Sequence, residues 1–167
     1  MFGSGIPISS GQRAYFISST IADNKCKTAT AANTQGHNLR IESEEVYMIN
    51  SIVTSTTSVG NDIYIASGKK LTSHGGNIVG TIEGSFTPHM SDVSGKKPVD
   101  VFGTNGLADN GGYPKTIALA TKLATTSLAD IQSVLSAMNL WMNVDTTVDQ
   151  RGVNRSVTAA SSGAYEK

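Results

Sequence analysis

The chain has 167 residues, which is enough for one domain with a hydrophobic core of its own. Only 16% of the residues are charged, against about 25% in a typical soluble protein, and the abundance of Thr and Gly favours strands and turns over a helical bundle. Thirteen basic residues balance thirteen acidic ones, which excludes nucleic-acid binding through a strong overall positive charge.

The composition also bears on the cellular compartment. Cys26 is the single cysteine, so an internal disulfide is excluded and a reducing compartment is the simpler interpretation. The N-terminal residues lack the basic and apolar regions of a signal peptide. No apolar run approaches the roughly 18 residues that span a membrane, so we expect a soluble protein without a membrane partner.

The first half of the chain reads mainly as strands. Residues 1–12 are predicted to form an N-terminal arm, and 44–53 fit either a short helix or a strand. The sequence His74-Gly-Gly76 is typical of a hairpin turn. The predicted strands before residue 88 are 14–21, 25–32, 63–71 and 77–86.

A long loop and a strand–helix unit follow. Residues 88–112 are rich in Gly and Pro and are predicted to form a long inter-strand loop. Residues 116–123 alternate as a strand, with Ile117 on one face and Thr116 and Lys122 on the other. The spacing then becomes helical and predicts a main helix over 127–142, with Ser127 as N-cap. A second helix is predicted over 146–160.

Strands followed by helices predict an α+β fold with an antiparallel sheet of about five to seven strands and two C-terminal helices. Two helices cover such a sheet poorly, so we expect an intertwined homodimer in which each chain covers its partner's sheet. The residues expected at this dimer interface form the apolar stripe of the main helix: Leu128, Ile131, Leu135, Met138, Trp141 and Met142.

The motifs of common enzymes and metal sites are missing from the sequence. His37, His74 and His89 are far apart and show no metal-ligand spacing. No nucleophile elbow, phosphate-binding loop or dinucleotide fingerprint is present. We therefore predict that the protein is not an enzyme and uses no cofactor or metal.

One face of the predicted sheet interleaves Lys, Thr and Tyr, which suits single-stranded or looped RNA. Lysines meet phosphates, hydroxyls bond base edges, and a tyrosine ring stacks on an unpaired base. The alternative is a solvated polar sheet face without a ligand. The candidate RNA-binding residues are Tyr64, Lys70, Thr81, Thr116 and Lys122, with Lys69, Tyr113 and Lys115 at the margins.

The C-terminal sequence resembles the coat proteins of single-stranded RNA bacteriophages, the levivirus group. The resemblance depends on three segments in the same order: Ala124-Thr-Thr-Ser127 before the main helix, Ala137-Met138 within it, and Ala159-Ala-Ser-Ser-Gly-Ala-Tyr165 near the end. Aligning the chain backwards from Ala124 would place Tyr113, Lys115 and Ile117 on the RNA face. That alignment is one residue out of register with the strand alternation.

The resemblance implies a structural capsid protein. Its dimers would assemble into an icosahedral shell around single-stranded genomic RNA, and the loop 88–112 would contact its copies around the symmetry axes. The sheet face of this family also binds an RNA hairpin, which couples packaging to translational repression. The implied location is the virion, assembled in the cytoplasm of a bacterial host.

Two other classes of protein stay open. Residues 35–45 and 60–65 resemble the first half of a C-type-lectin-like ligand-binding module, although that family's paired cysteines and calcium-binding motif are absent. A pilus or other surface structural subunit shares the polar, Thr-rich composition but has a long apolar N-terminal helix or a signal that this sequence lacks.

Overall fold

The described part of the chain comprises residues 5–24, 36–55, 60–140 and 144–167 of a computed structural model. Three residues named above, Cys26, Trp141 and Met142, lie outside the described residues. Within the described ranges, no helix is both long and apolar enough to cross a membrane.

Short strands wind through the first part of the chain as the coils of a parallel β-solenoid. The first coil holds β1 (Ile6–Ile8), β2 (Arg13–Ile17) and β3 (Thr20–Ala22), and the second holds β4 (Leu39–Ile41), β5 (Glu45–Ile49) and β6 (Ile52–Thr54). The third holds β7 (Ile63–Ile65), β8 (Leu71–Ser73) and β9 (Ile78–Val79), and the fourth holds β10 (Ile82–Glu83) and β11 (Phe86–Thr87). Corresponding strands pair in parallel: β1-β4-β7-β10 form sheet A, β2-β5-β8-β11 form sheet B, and β3-β6-β9 form sheet C.

Alternation along each strand builds the interior of the solenoid. On sheet A, Leu39 and Ile41 are buried while Arg40 between them points outward and is partly exposed. Ile63 and Ile65 repeat the arrangement in the next coil, around Tyr64. The interior core is therefore a stack of Leu, Ile, Val and Met side chains from successive coils.

The corner between sheets B and C carries a column of polar groups along the solenoid axis. The Ser19 N–H donates to Ser51 Oγ at 3.1 Å, and the Ser51 N–H donates to Asn77 Oδ1 at 2.9 Å. The Asn77 N–H donates in turn to Asp92 Oδ1 at 2.9 Å. These bonds satisfy backbone groups that leave the sheets at each turn.

The rest of the chain lies on the outside of the solenoid. It forms α1 (Pro98–Phe102), β12 (Leu107–Ala108), β13 (Thr116–Ile117), β14 (Thr125–Thr126), α2 (Leu128–Ala137) and β15 (Ala160–Ser161). Val101 and Phe102 of α1 pack with Ile52 and Ile78, whose side chains point outward from sheet C. This second core fixes the C-terminal region to the solenoid.

Helix α2 forms where the sequence predicts a helix, and Ser127 is confirmed as its N-cap, with Oγ accepting from the Asp130 N–H at 3.0 Å. Its stripe of Leu128, Ile131 and Leu135 is buried against Ile49 of the same chain. These three residues are therefore packed within the chain itself, and their contact with a partner's sheet stays a prediction. Met138, at the C-cap, is half-buried.

The predicted fold class, an antiparallel sheet followed by two helices, is wrong: the large sheets are parallel and stacked as coils. Alternation of apolar and polar residues reports which face of a strand is buried, but it is the same for parallel and antiparallel partners. The coils also differ in length, because the register partners Ile6, Leu39, Ile63 and Ile82 are unevenly spaced in sequence. No fixed period therefore marks the repeat.

Several local predictions change with the fold. His74-Gly-Gly76 is a corner from sheet B to sheet C and not a hairpin, and only Thr116–Ile117 of the predicted strand 116–123 is paired. The arm 1–12 contains β1, and the loop 88–112 contains α1 and β12. Residues 146–160 form no helix, because Asp149 instead accepts backbone N–H groups in a turn bridged by Val148 and Asn154.

Candidate ligand-binding cleft

The candidate RNA-binding residues on the solenoid have other local partners. Tyr64 lies on the outer face of sheet A, with the Arg40 guanidinium 4.7 Å from its ring centroid. Thr81 Oγ1 donates to Asp62 Oδ2 at 3.1 Å, and Lys69 pairs with Glu44 at 3.2 Å. The side chain of Lys70 is exposed beside Lys69, just before β8.

The remaining candidates lie in the C-terminal region. Thr116 is buried on β13, where its Oγ1 accepts from Asn110 Nδ2 at 3.1 Å. Lys122 pairs with Glu166 at 3.0 Å, and Tyr113 and Lys115 lie exposed in the segment before β13. The eight candidates therefore do not share one sheet, and RNA binding by them stays a prediction.

A cleft of about 600 Å³ opens at the His74-Gly-Gly76 corner. Four segments converge there: the corner itself, the loop His89-Met-Ser91, the segment from β14 into α2, and Thr158 just before β15. Hydroxyl groups dominate the polar lining, and Asp130 of α2 is the acidic side chain. None of the described residues that line it is Lys or Arg.

The two glycines of the corner allow the other segments to come close. A Cβ on Gly75 would lie 2.6 Å from Ser91 Oγ and 2.7 Å from His89 Nδ1. A Cβ on Gly76 would lie 1.7 Å from Thr126 Oγ1. Any other residue would push these segments away, so the paired glycines are a condition for the shape of the cleft.

The loop is held by a carboxylate beneath it. Asp92 Oδ2 accepts from Ser73 Oγ at 2.6 Å and from the His89 N–H at 2.8 Å. Above it, Ser91 Oγ accepts from the Gly76 N–H at 2.9 Å and lies 2.9 Å from His89 Nδ1. These bonds hold His89 and Ser91 at one wall of the cleft, so that no ligand is needed to position them.

His74 is the last of three stacked aromatic side chains. Its ring stacks on Tyr47 with centroids 6.1 Å apart, and Tyr47 stacks on Tyr15 at 5.3 Å. Burial lowers the pKa of His74 below its usual value near 6.5, and the neighbouring charge of His89 lowers it further. His74 is therefore neutral at pH 7 and can donate or accept a hydrogen bond.

Two polar atoms at the wall of the cleft lack a hydrogen-bond partner among the described residues. They are Nε2 of His74 and Oγ1 of Thr126, both buried at the atom level. A buried polar atom without a partner costs about 1–3 kcal/mol, so native proteins rarely keep one without a reason. Because both atoms are closed off from solvent, a ligand in the cleft cannot reach them unless the wall rearranges.

The comparisons with known proteins come out empty. No family model, curated protein or solved structure matches this chain. Among the described residues, no group of three His, Cys, Asp or Glu side chains could hold a metal ion. The cleft must therefore be interpreted from its own geometry.

Sequence reasoning missed this cleft, although part of the signal was present. Consecutive glycines next to His74 mark a close approach of other chain segments as well as a turn. The contribution of His89 and Thr126 was not visible, since the parallel coils bring together residues that are distant in sequence.

A second polar cluster, which we call the C-terminal clasp, consists of Asp149, Arg151, Arg155, Tyr165 and Glu166. Arg155 donates to the carbonyl oxygens of Ser161 at 3.1 Å and Gly163 at 2.8 Å. The Arg151 guanidinium lies 3.7 Å from the Tyr165 ring centroid. Each of the charged side chains is paired within the cluster, so its role is to hold the C-terminal residues in place.

Proposed function

We propose that the chain is a ligand-binding module whose cleft at the His74-Gly-Gly76 corner takes a neutral, hydroxyl-rich ligand, with carbohydrate as the chemical class. The observation that carries the proposal is a cleft lined by the hydroxyls of Ser and Thr side chains and by a neutral imidazole. The volume of about 600 Å³ lies within the range of small-molecule sites.

The charge of the cleft supports a neutral ligand. A site for phosphate or a nucleic-acid backbone uses Lys, Arg or a set of converging N–H groups. The described lining residues include no Lys or Arg, and Asp130 would repel an anion. Hydroxyl groups both donate and accept, so Ser and Thr side chains match the hydroxyls of a sugar without a charge on either side.

Ligand titration of the purified protein tests the proposal. Neutral oligosaccharides, a sulfated oligosaccharide and a short single-stranded RNA should be compared by calorimetry or by NMR shifts. We expect saturable binding of at least one neutral oligosaccharide and none of the anionic ligands at this cleft. Absence of binding by every neutral oligosaccharide, or stronger binding of the RNA through the cleft, would contradict the proposal.

Ser133→Ala tests the lining hydroxyls, since Ser133 is exposed on α2 and lines the cleft. The free protein should be as stable as the parent, because Ala has a high helix propensity. Ligand affinity should fall about three- to tenfold, the value of one hydrogen bond. Ser136→Ala is the matched control, because Ser136 is exposed on the same helix and does not line the cleft.

The coat-protein function remains a separate prediction with less support. It required an antiparallel sheet as the RNA-facing surface, and the sheets of this chain are parallel. The three short C-terminal segments that resemble levivirus coat proteins still favour it. Large, regular, RNA-containing particles on expression alone, seen by electron microscopy, would favour the coat protein over the ligand-binding module.

A further inference from the structure

The two ends of the solenoid differ in what they offer to a further strand. At the C-terminal end, β11 has two residues and is followed by Pro88, which has no N–H to donate. The last strand of sheet C is covered there by Val93, whose carbonyl oxygen accepts from the Val79 N–H at 2.9 Å. This end is therefore a poor template for pairing with another chain.

At the N-terminal end, β2 is the five-residue edge strand of sheet B, and among the described residues no second strand pairs with it beside β5. The Ser18 N–H donates to the Ile49 carbonyl oxygen at 3.1 Å, so every second residue of β2 bonds to β5 in phase with Ser18. The residues between them turn their N–H and C=O groups toward the open edge. These residues are Arg13, Tyr15 and Ile17. The Ile17 carbonyl oxygen also accepts from Ser19 Oγ at 2.9 Å and keeps a second lone pair.

The edge strand of sheet A at the same end is protected by a proline. The Ile6 N–H donates to the Asn38 carbonyl oxygen, and the Glu42 N–H donates to the Ile8 carbonyl oxygen, both at 2.8 Å. Pro7 is therefore the residue of β1 that faces the open edge, where it has no N–H to offer. Because β2 carries no such proline, it keeps a complete set of backbone donors and acceptors at this end.

The sequence of β2 is complementary to itself about Tyr15. If two copies of β2 pair in antiparallel orientation about this residue, Tyr15 meets its own copy and Arg13 meets Ile17 of the second copy. These are the residues whose backbone groups face the open edge, so each of these pairs can exchange both of its N–H···O bonds. On the inner face, Ala14 of each copy meets Phe16 of the other, which places a small side chain beside a large one.

The aromatic stack on the outer face of sheet B favours the same partner. Tyr15 stacks on Tyr47 with centroids 5.3 Å apart and an interplanar angle of 15°, so the other face of the Tyr15 ring is directed toward the open edge. A second Tyr15 at that edge would continue the stack across the two chains. Ala14, which packs against the interior core and is partly exposed at this end, would be covered at the same time.

We propose that β2 is the docking surface for a second copy of this chain, and that the two copies form a two-fold symmetric dimer by antiparallel β2–β2 pairing. Such a contact uses the open edge of both copies, so assembly stops at the dimer. The interface differs from the apolar stripe of the main helix that the sequence favoured. It does not depend on the proposed ligand, because no residue of β2 lines the cleft.

Sedimentation of the full chain over a range of concentrations measures the oligomeric state. We expect a reversible equilibrium between monomer and dimer without larger species. A monomer at every concentration would overturn the proposal. A series of larger oligomers would also overturn it, because that result requires contacts that do not close.

Tyr15→Pro and Tyr15→Thr form a matched pair of variants. Both remove the ring, but Tyr15→Pro also removes the central N–H donor of each copy. The Tyr15 N–H makes no bond to β5, so the monomer should tolerate proline there as β1 tolerates Pro7. The dimer Kd of Tyr15→Pro should exceed that of Tyr15→Thr at least about 30-fold, the value of two hydrogen bonds. Equal values of Kd for the two variants would contradict pairing through this edge.

Hydrogen exchange in the parent protein tests the same edge without relying on the folding of a variant. The Tyr15 amide should exchange at least about tenfold more slowly above the dimer Kd than below it. The Phe16 amide is the internal control, because it faces β5 and should be equally protected at both concentrations. A Tyr15 exchange rate that does not depend on concentration would overturn the proposal.

Discussion

The backbone N–H of Gly163 donates to the carbonyl oxygen of Asn50 at 2.7 Å. The Asn50 side chain makes a second hydrogen bond to the same C-terminal segment, with Nδ2 donating to the Ser161 carbonyl oxygen at 3.0 Å. Asn50 has a positive φ of 49° at the corner between β5 and β6, a conformation that Asn tolerates better than most residues. The C-terminal residues are thus bound to a corner of the second coil.

Gly163→Ala should destabilise the protein by about 2–4 kcal/mol, for two reasons that can be separated. Gly163 has φ +85°, which costs any side chain, and its Cβ would lie 2.5 Å from Thr20 Oγ1 and 2.7 Å from Ile52 Cδ1. Gly152→Ala is the matched control, since Gly152 has φ +84° with no atom near its Cβ. Urea unfolding of both variants measures the difference, and equal losses would show that the contact with the solenoid is loose.

We expect Arg155 to contribute most to the stability of the C-terminal clasp. Its side chain is 2% exposed, its guanidinium donates to three backbone carbonyl oxygens, and Glu166 lies 3.7 Å away. Burial lowers the pKa of Arg155, and the charges of Glu166 and Asp149 oppose that shift. Arg155→Ala should cost about 3–5 kcal/mol, because three carbonyl oxygens each lose a donor and the buried carboxylate of Glu166 loses one of its two cations.

Two further variants test the origin of that loss. Arg155→Lys keeps the charge but cannot reach three carbonyls at once, so it should recover only part of the stability. Arg13→Ala removes a cation that pairs with Glu45 on the exposed surface of sheet B and should cost much less than Arg155→Ala. Similar losses in Arg13→Ala and Arg155→Ala would contradict a buried role for Arg155.

The sequence predicted helix α2 better than any other element, for a physical reason. The stripe of Leu128, Ile131 and Leu135 has helical spacing, and a helix satisfies its own backbone within ten residues. A strand such as Ile63–Ile65 leaves its backbone bonds to partners far away in the chain. Its existence was predicted, but the direction and identity of its neighbours depend on the whole solenoid.

The candidate site shows the same limit. The predicted RNA face assumed that Tyr64 and Thr116 lie on one antiparallel sheet, whereas they belong to sheet A and to the β12–β13 pair. His74 and His89 are far apart in sequence, yet both line the same cleft. In each case the sequence shows which residue types are present, but it does not show which of them the topology of the fold brings together.

The protein should become less stable as the pH is lowered from neutral, because protonation of His74 favours the unfolded state. Because burial and the charge of His89 hold its pKa below 6.5, the folded state binds fewer protons than the unfolded state once the pH drops below 6.5. The loss grows as the pH falls toward the pKa of the folded state and levels off below it. Urea unfolding at pH values between 8 and 5 measures this dependence.

His74→Gln should flatten the pH dependence, since Gln keeps a polar side chain without a titrating group. His89→Gln should flatten it only in part, because it removes the neighbouring charge and leaves His74 buried. A pH dependence that persists unchanged in His74→Gln would assign the effect to another group.

Ser127→Ala should destabilise the protein by about 1 kcal/mol through the loss of the N-cap of α2. Ser127 Oγ accepts from the Asp130 N–H at 3.0 Å and donates to Asp130 Oδ2 at 2.6 Å, so the substitution leaves both the first turn and the carboxylate without a partner. Ser136→Ala, on the exposed face of the same helix, should be neutral or slightly stabilising because Ala has the higher helix propensity. The thermal unfolding temperature of Ser127→Ala should therefore fall, whereas that of Ser136→Ala should stay the same or rise. Equal destabilisation by both would mean that α2 is held by its apolar stripe on Ile49 and that the cap contributes little.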